Sequence, residues 1–127
     1  MPQNPYSPFN NDLGAVATLA AATVSGASAN LANGQGRGVR VTVDITAITA
    51  GSLTVEIDAY DPASGTYENL LTSAALAAAA VTVLTVYPAA VVTANVSANG
   101  NLPANWRIKW TIATGPVTAT IGACILV

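Results

Sequence analysis

The chain has 127 residues, enough for one domain with its own core and no covalent staple. Only 8% of its residues are charged, against about 25% in an ordinary soluble domain, and the net charge is -2. It contains no histidine and a single cysteine, which excludes imidazole metal ligands, Ser-His or Cys-His catalysis and an internal disulfide.

Residues 1–12 (MPQNPYSPFNND) read as an extended N-terminal arm, because Pro2, Pro5 and Pro8 block regular structure. Tyr6, Pro8 and Phe9 are its candidate interface residues: two apolar rings on a polar arm can dock on a neighbour or fold back on their own domain. The arm has neither the positive charge nor the apolar run of a secretory signal. The remaining residues, 13–127, are assigned to one β-domain.

Residues 13–25 mix alanines with Val16, Thr18, Thr23 and Val24, and are read as a strand. Residues 25–38 form a loop ending in NGQGRG. It has the look of a G-x-G phosphate loop, but no strand-loop-helix order surrounds it and no Lys-Ser/Thr follows, so it is read as a flexible turn. Val39, Val41, Val43 and Ile45 then alternate with Arg40, Thr42, Asp44 and Thr46. Leu53, Val55, Ile57 and Ala59 alternate with Thr54, Glu56, Asp58 and Tyr60. Period two marks half-buried strands, and the short Ala50-Gly51-Ser52 link predicts that these two pair as a hairpin.

Asp61-Pro-Ala-Ser-Gly65 is a turn: Pro62 presets φ and Gly65 accepts a positive φ. Residues 67–71 resume as a strand, 72–80 are undecided between loop, edge strand and helical turn, and 81–87 form a strand that Pro88 stops. Residues 73–92 carry no charge, but their alanines, threonines and Pro88 argue against a membrane span. Residues 89–104 read as a connection. Residues 105–113 alternate again, with Trp106, Ile108, Trp110 and Ile112 on one side. Trp106 and Trp110 are the predicted core anchors, since each ring can bury roughly 150–250 Å². Gly115-Pro116 turns the chain into a last strand, 117–127, in which Cys124 is expected to be a small buried filler. Short strands with turn signals and no alternating helices predict an all-β, single-domain antiparallel β-sandwich, jelly-roll or immunoglobulin-like.

Little here suggests catalysis. Asp44 with Glu56 or Asp58 can meet across the predicted hairpin, as a carboxylate pair for glycoside hydrolysis or an incidental cation site. A solvated polar face, with Arg40 partnering one of the acids, explains them more simply. No cofactor or metal is expected. Four basic residues are too few for a phosphate-binding stripe, so no nucleic-acid partner is expected. Tyr60, Tyr67 and Tyr87 are the residues a carbohydrate-binding module would use.

Residues 51–73 (GSLTVEIDAYDPASGTYENLLTS), followed by TVYP at 85–88 and LPANWR at 102–107, resemble a group of small structural proteins of tailed bacteriophages. The resemblance implies a non-enzymatic virion component, such as a head decoration or cement protein on the capsid exterior, made in the host cytoplasm. Its implied partners are the major capsid protein and copies of itself, often as a homotrimer. A tail, baseplate or fibre component is the alternative within the same virion. The composition agrees with such a role, because a charge-poor surface loses little on being desolvated by a neighbour.

Overall fold

A computed structural model describes residues 12–127. Tyr6, Pro8 and Phe9, with the rest of residues 1–11, lie outside the described residues. Ten strands follow in order: β1 (Asp12–Ala22), β2 (Gly26–Ala27), β3 (Leu31–Ala32), β4 (Gly38–Ile48), β5 (Ser52–Asp61), β6 (Thr66–Thr72), β7 (Val81–Tyr87), β8 (Ser97–Asn99), β9 (Asn105–Ala113) and β10 (Val117–Leu126). They form two packed sheets. Sheet A has the order β1-β10-β4-β7-β8, and sheet B the order β2-β9-β5-β6, with β3 also on β9. Antiparallel pairs nest from the outside inward: β1 with β10, β2 and β3 with β9, β4 with β7, and β5 with β6. One pair departs from the antiparallel expectation: β8, inside the predicted connection, runs parallel to β7.

The period-two pattern places side chains as expected. Val39, Val41, Val43 and Ile45 of β4 and Val117, Ala119, Ile121, Ala123 and Ile125 of β10 point inward from sheet A. Leu53, Val55 and Ile57 of β5 and Trp106, Ile108 and Ile112 of β9 answer from sheet B. Trp106 is the largest side chain fully removed from solvent. Trp110 is only partly buried; its ring closes on Gly26, where a Cβ would come within 2.9 Å of it.

Two expectations need correction. The strands at 39–46 and 53–59 do not form a hairpin. β4 pairs with β10 and β7, whereas β5 pairs with β9 and β6, in the opposite sheet. Each strand carries one apolar face, and crossing between sheets brings those faces together across the core. At the crossing Gly51 takes φ +76° with its Cα against the Ala113 carbonyl, a place where no side chain fits. Cys124 is also not in the core. It alternates out of step with Ala123 and Ile125 and lies half-buried on the outer side of β10.

The segment at 25–38 is more ordered than a flexible turn. Asn33, itself buried, donates through Nδ2 to the carbonyls of Gly36 (3.0 Å) and Leu102 (2.9 Å), and its Oδ1 accepts the Gly36 N–H (2.9 Å). The asparagine ties the glycine-rich run to the body, so its polar groups serve the fold.

The turn after β5 closes through the Gly65 N–H on the Asp61 carbonyl (2.8 Å), with Gly65 at φ +72°. The Asp61 carboxylate accepts the Ser64 hydroxyl (2.7 Å) and the Ala63 N–H (3.1 Å). The Ser64 hydroxyl, then the backbone donors, hold the Asp61 carboxyl below its ordinary value of 3.8. A lowered folded-state pKa gives support that is complete above 3.8 and lost as pH falls through the lowered value. An NMR titration of the Asp61 side-chain carbon is expected to give a midpoint under 3.8, and Ser64→Ala to move it back up.

The sheet edges are short or irregular. β1, at one edge of sheet A, has three register shifts against β10; β8, at the other, has three residues. In sheet B, β2 and β3 have two residues each, and β6 carries a register shift against β5.

Candidate functional site

The sandwich offers two outer faces with different chemistry. On sheet B, cross-strand register sets Glu56 opposite Lys109 and Asp58 opposite Arg107. Arg107 Nε donates to Asp58 Oδ2 at 3.2 Å, and Lys109 Nζ lies 3.7 Å from Glu56 Oε2. Asn69 donates to Asp58 Oδ1 (3.2 Å), and the single Thr72 hydroxyl proton is within reach of Asn69 Oδ1 (3.0 Å) and, at the limit, of Glu56 Oε1 (3.5 Å). The Arg107 guanidinium sits 3.4 Å over the Tyr67 ring, whose hydroxyl donates to Asn30 (2.7 Å). Tyr60 leans on Tyr67 at a centroid distance of 5.0 Å.

This face is a satisfied lattice. Asp58 is 4% exposed and bonded to two partners, and each carboxylate faces its own cation. Such a lattice does not present the free acid and base that glycoside hydrolysis needs. Asp44 lies on the other sheet, so the predicted pairing of Asp44 with Glu56 or Asp58 does not occur. The acids' partners are Arg107 and Lys109 rather than Arg40. Among the described residues, no group of three or more Asp, Glu, Cys or His side chains is placed to hold a metal ion, and no helix is long and apolar enough to cross a membrane. The three tyrosines do not converge. Tyr60 and Tyr67 share sheet B, with a guanidinium over Tyr67, while the Tyr87 hydroxyl donates to the Val127 carbonyl (3.0 Å) beside sheet A.

The outer face of sheet A is the candidate site. Its register stacks three rows across four strands. The first is Asp12, Cys124, Arg40 and Thr85; the second is Ala15, Gly122, Thr42 and Val83; the third is Thr18, Thr120, Asp44 and Val81. The first three strands cradle a shallow trough of about 530 Å³, with Gly122 and Ala15 among its lining residues. A second, smaller apolar hollow of about 440 Å³ is lined by Thr85, Tyr87, Ala90, Leu126 and Val127. Val81 and Val83 stand out to solvent, and beyond them the segment after β7 exposes Val91 (84%) and Val92 (69%). Valine and threonine are stiff about χ1, so covering them costs little side-chain entropy. Arg40 and Asp44 are exposed, and neither is in an ion pair among the described residues.

The alternation of β4 already marks Arg40, Thr42 and Asp44 as outward, whereas the apolar run at the end of β10 masks the outward place of Cys124. That those two strands are neighbours has no local signal in the sequence. Compared with protein-family models, with curated proteins and with solved structures, the chain returns no match.

Proposed function

We propose that this chain is a non-catalytic structural subunit that works by packing against other protein surfaces through the outer face of sheet A. The observation that carries the reading is the contrast between the faces: sheet B spends its charges on its own neighbours, while sheet A presents valines, threonines and small residues in rows. A face of stiff, mostly neutral side chains loses little solvation and little entropy when covered.

The narrower reading is a head decoration protein of a tailed phage, bound as an oligomer to the major capsid protein on the capsid exterior. It rests on the resemblance of residues 51–73, 85–88 and 102–107. The finer fold reading is a jelly roll rather than an immunoglobulin-like sandwich, supported by the nested pairing of first with last strands. Jelly rolls occur in viral capsid and lectin domains, so that support is one of fold analogy. Residues 1–12 are read as an arm that reaches a neighbour, with Tyr6, Pro8 and Phe9 as contacts.

The test is sedimentation of the purified chain over a wide concentration range, alone and with phage heads lacking decoration. Self-association, or saturable binding to heads, is the expected result. A chain that stays monomeric at every concentration and leaves heads bare overturns the reading. Immunogold labelling of virions separates head from tail.

A further inference from the structure

We propose that the outer face of sheet A is a two-fold self-interface, in which Arg40 of each copy meets Asp44 of the other. The inference rests on the reading of the chain as an assembly subunit and names the partner of that face as a second copy of this chain.

The argument comes from the placement of charge. Arg40 and Asp44 lie on one face of β4, one residue pair either side of Thr42. At ~3.3 Å per residue they are about 13 Å apart along the strand, too far to pair with each other. On sheet B, by contrast, Glu56, Asp58, Arg107 and Lys109 are matched within the chain. The outer face of sheet A thus carries Arg40 and Asp44 on its central strand, in no ion pair among the described residues, with Asp12 on the edge strand of the Arg40 row.

A two-fold axis between two such faces, lying across the strands above Thr42, reverses the strand direction. β4 then stacks antiparallel over β4 of the other copy. Arg40 comes to stand over the second copy's Asp44, and the reciprocal pair forms on the other side of the axis. Both pairs arise from one operation, the signature of an isologous contact. The row on the axis is Ala15, Gly122, Thr42 and Val83. Three of its members are small, so the backbones can approach to the ~10 Å of face-to-face sheets, a gap that one long and one short charged side chain can span. Thr85 faces the partner's Val81, and Cys124 faces the partner's Thr120, so no like charges meet.

The area suits such a contact. Four strands at ~4.8 Å spacing and about ten residues at ~3.3 Å cover roughly 600 Å² per copy. Two copies bury about 1,200 Å², the lower end of stable interfaces, so the dimer is concentration-dependent. A three-fold ring, which the sequence resemblance implies, joins two different surfaces of each subunit and leaves this symmetric spacing unexplained.

Charge reversal tests the geometry. In R40D the β4 strands set acids against acids and in D44R arginines against arginines, so each variant alone is expected to sediment as a monomer where the parent is a dimer. Mixed one to one, the two are expected to form a heterodimer with both pairs restored, and the double variant R40D/D44R to dimerise by itself. Circular dichroism of each single variant checks that it is folded, and recovery on mixing cannot come from misfolded protein. A parent oligomer that R40D and D44R leave intact, or a parent trimer, overturns this interface while leaving the assembly reading standing. A parent that is monomeric throughout and binds no head overturns both.

Discussion

Trp106→Ala is expected to cost about 3–5 kcal/mol of unfolding free energy, the range for removing a large aromatic ring from a packed core. Trp106 is fully buried on β9, with inward side chains of both sheets in the same cluster. Domains of this size are stable by about 5–15 kcal/mol, so the variant loses a large share of its margin. Trp106→Phe is the informative companion. The indole Nε1 is buried and has no hydrogen-bond partner among the described residues, and such a group carries a penalty of about 1–3 kcal/mol. Phenylalanine gives up ring volume but removes that penalty, so its cost should fall well below that of alanine. Trp110→Ala, at the partly open rim against Gly26, should cost less than Trp106→Ala. Urea unfolding of the three variants ranks them. A Trp106→Ala loss under about 1 kcal/mol would contradict the placement of the core there.

Arg107→Ala is the second large effect, expected at about 2–3 kcal/mol. Removing one member of a buried pair costs about 3–5 kcal/mol because the other charge is left without compensation. Here Asp58 is the deeply buried partner, while the Arg107 side chain is 22% exposed, which lowers the figure. Arg107 also covers Tyr67, a contact worth roughly 0.5–1 kcal/mol at a partly exposed site. The control is Lys109→Ala on the same strand and face. Its pair with Glu56 is longer, and the lysine side chain is 45% exposed, so its loss should be under about 1 kcal/mol. The double variant Arg107→Ala with Asp58→Ala should be more stable than Arg107→Ala alone, since it removes the stranded carboxylate. Equal losses for Arg107→Ala and Lys109→Ala in urea unfolding would show that burial does not separate the two pairs.

The sequence was most legible where side chains alternate. Val39 to Ile45, Leu53 to Ile57 and Trp106 to Ile112 show which residues face inward, because a strand's period is two whatever it pairs with. For the same reason the pattern does not say which sheet a strand joins, and β4 and β5 read as a hairpin although they face each other across the core. β2 and β3 left no trace. Two residues have no period, and the segment is held from a distance, through the Ser28 N–H on the Ile108 carbonyl and the Ser25 hydroxyl accepting the Ile112 N–H. Cys124 was hidden in the apolar run 123–127, where hydrophobicity masks the alternation. Of the candidate face, Arg40, Thr42 and Asp44 were visible as outward residues. Their juxtaposition with Gly122, Thr120 and Cys124 depends on the β4–β10 pairing, a contact between residues some eighty positions apart.

The blunted strand edges bear on how such a chain survives at high copy number. With few charges to repel its neighbours, a protein of this composition is exposed to the growth of cross-β fibrils, in which one open ladder recruits the next. Register shifts along β1 and β6, and strands of two or three residues at the other edges, interrupt the regular run of free amides that an incoming chain could copy. With the proposed two-fold contact, association closes on one face and amyloid growth is denied a template.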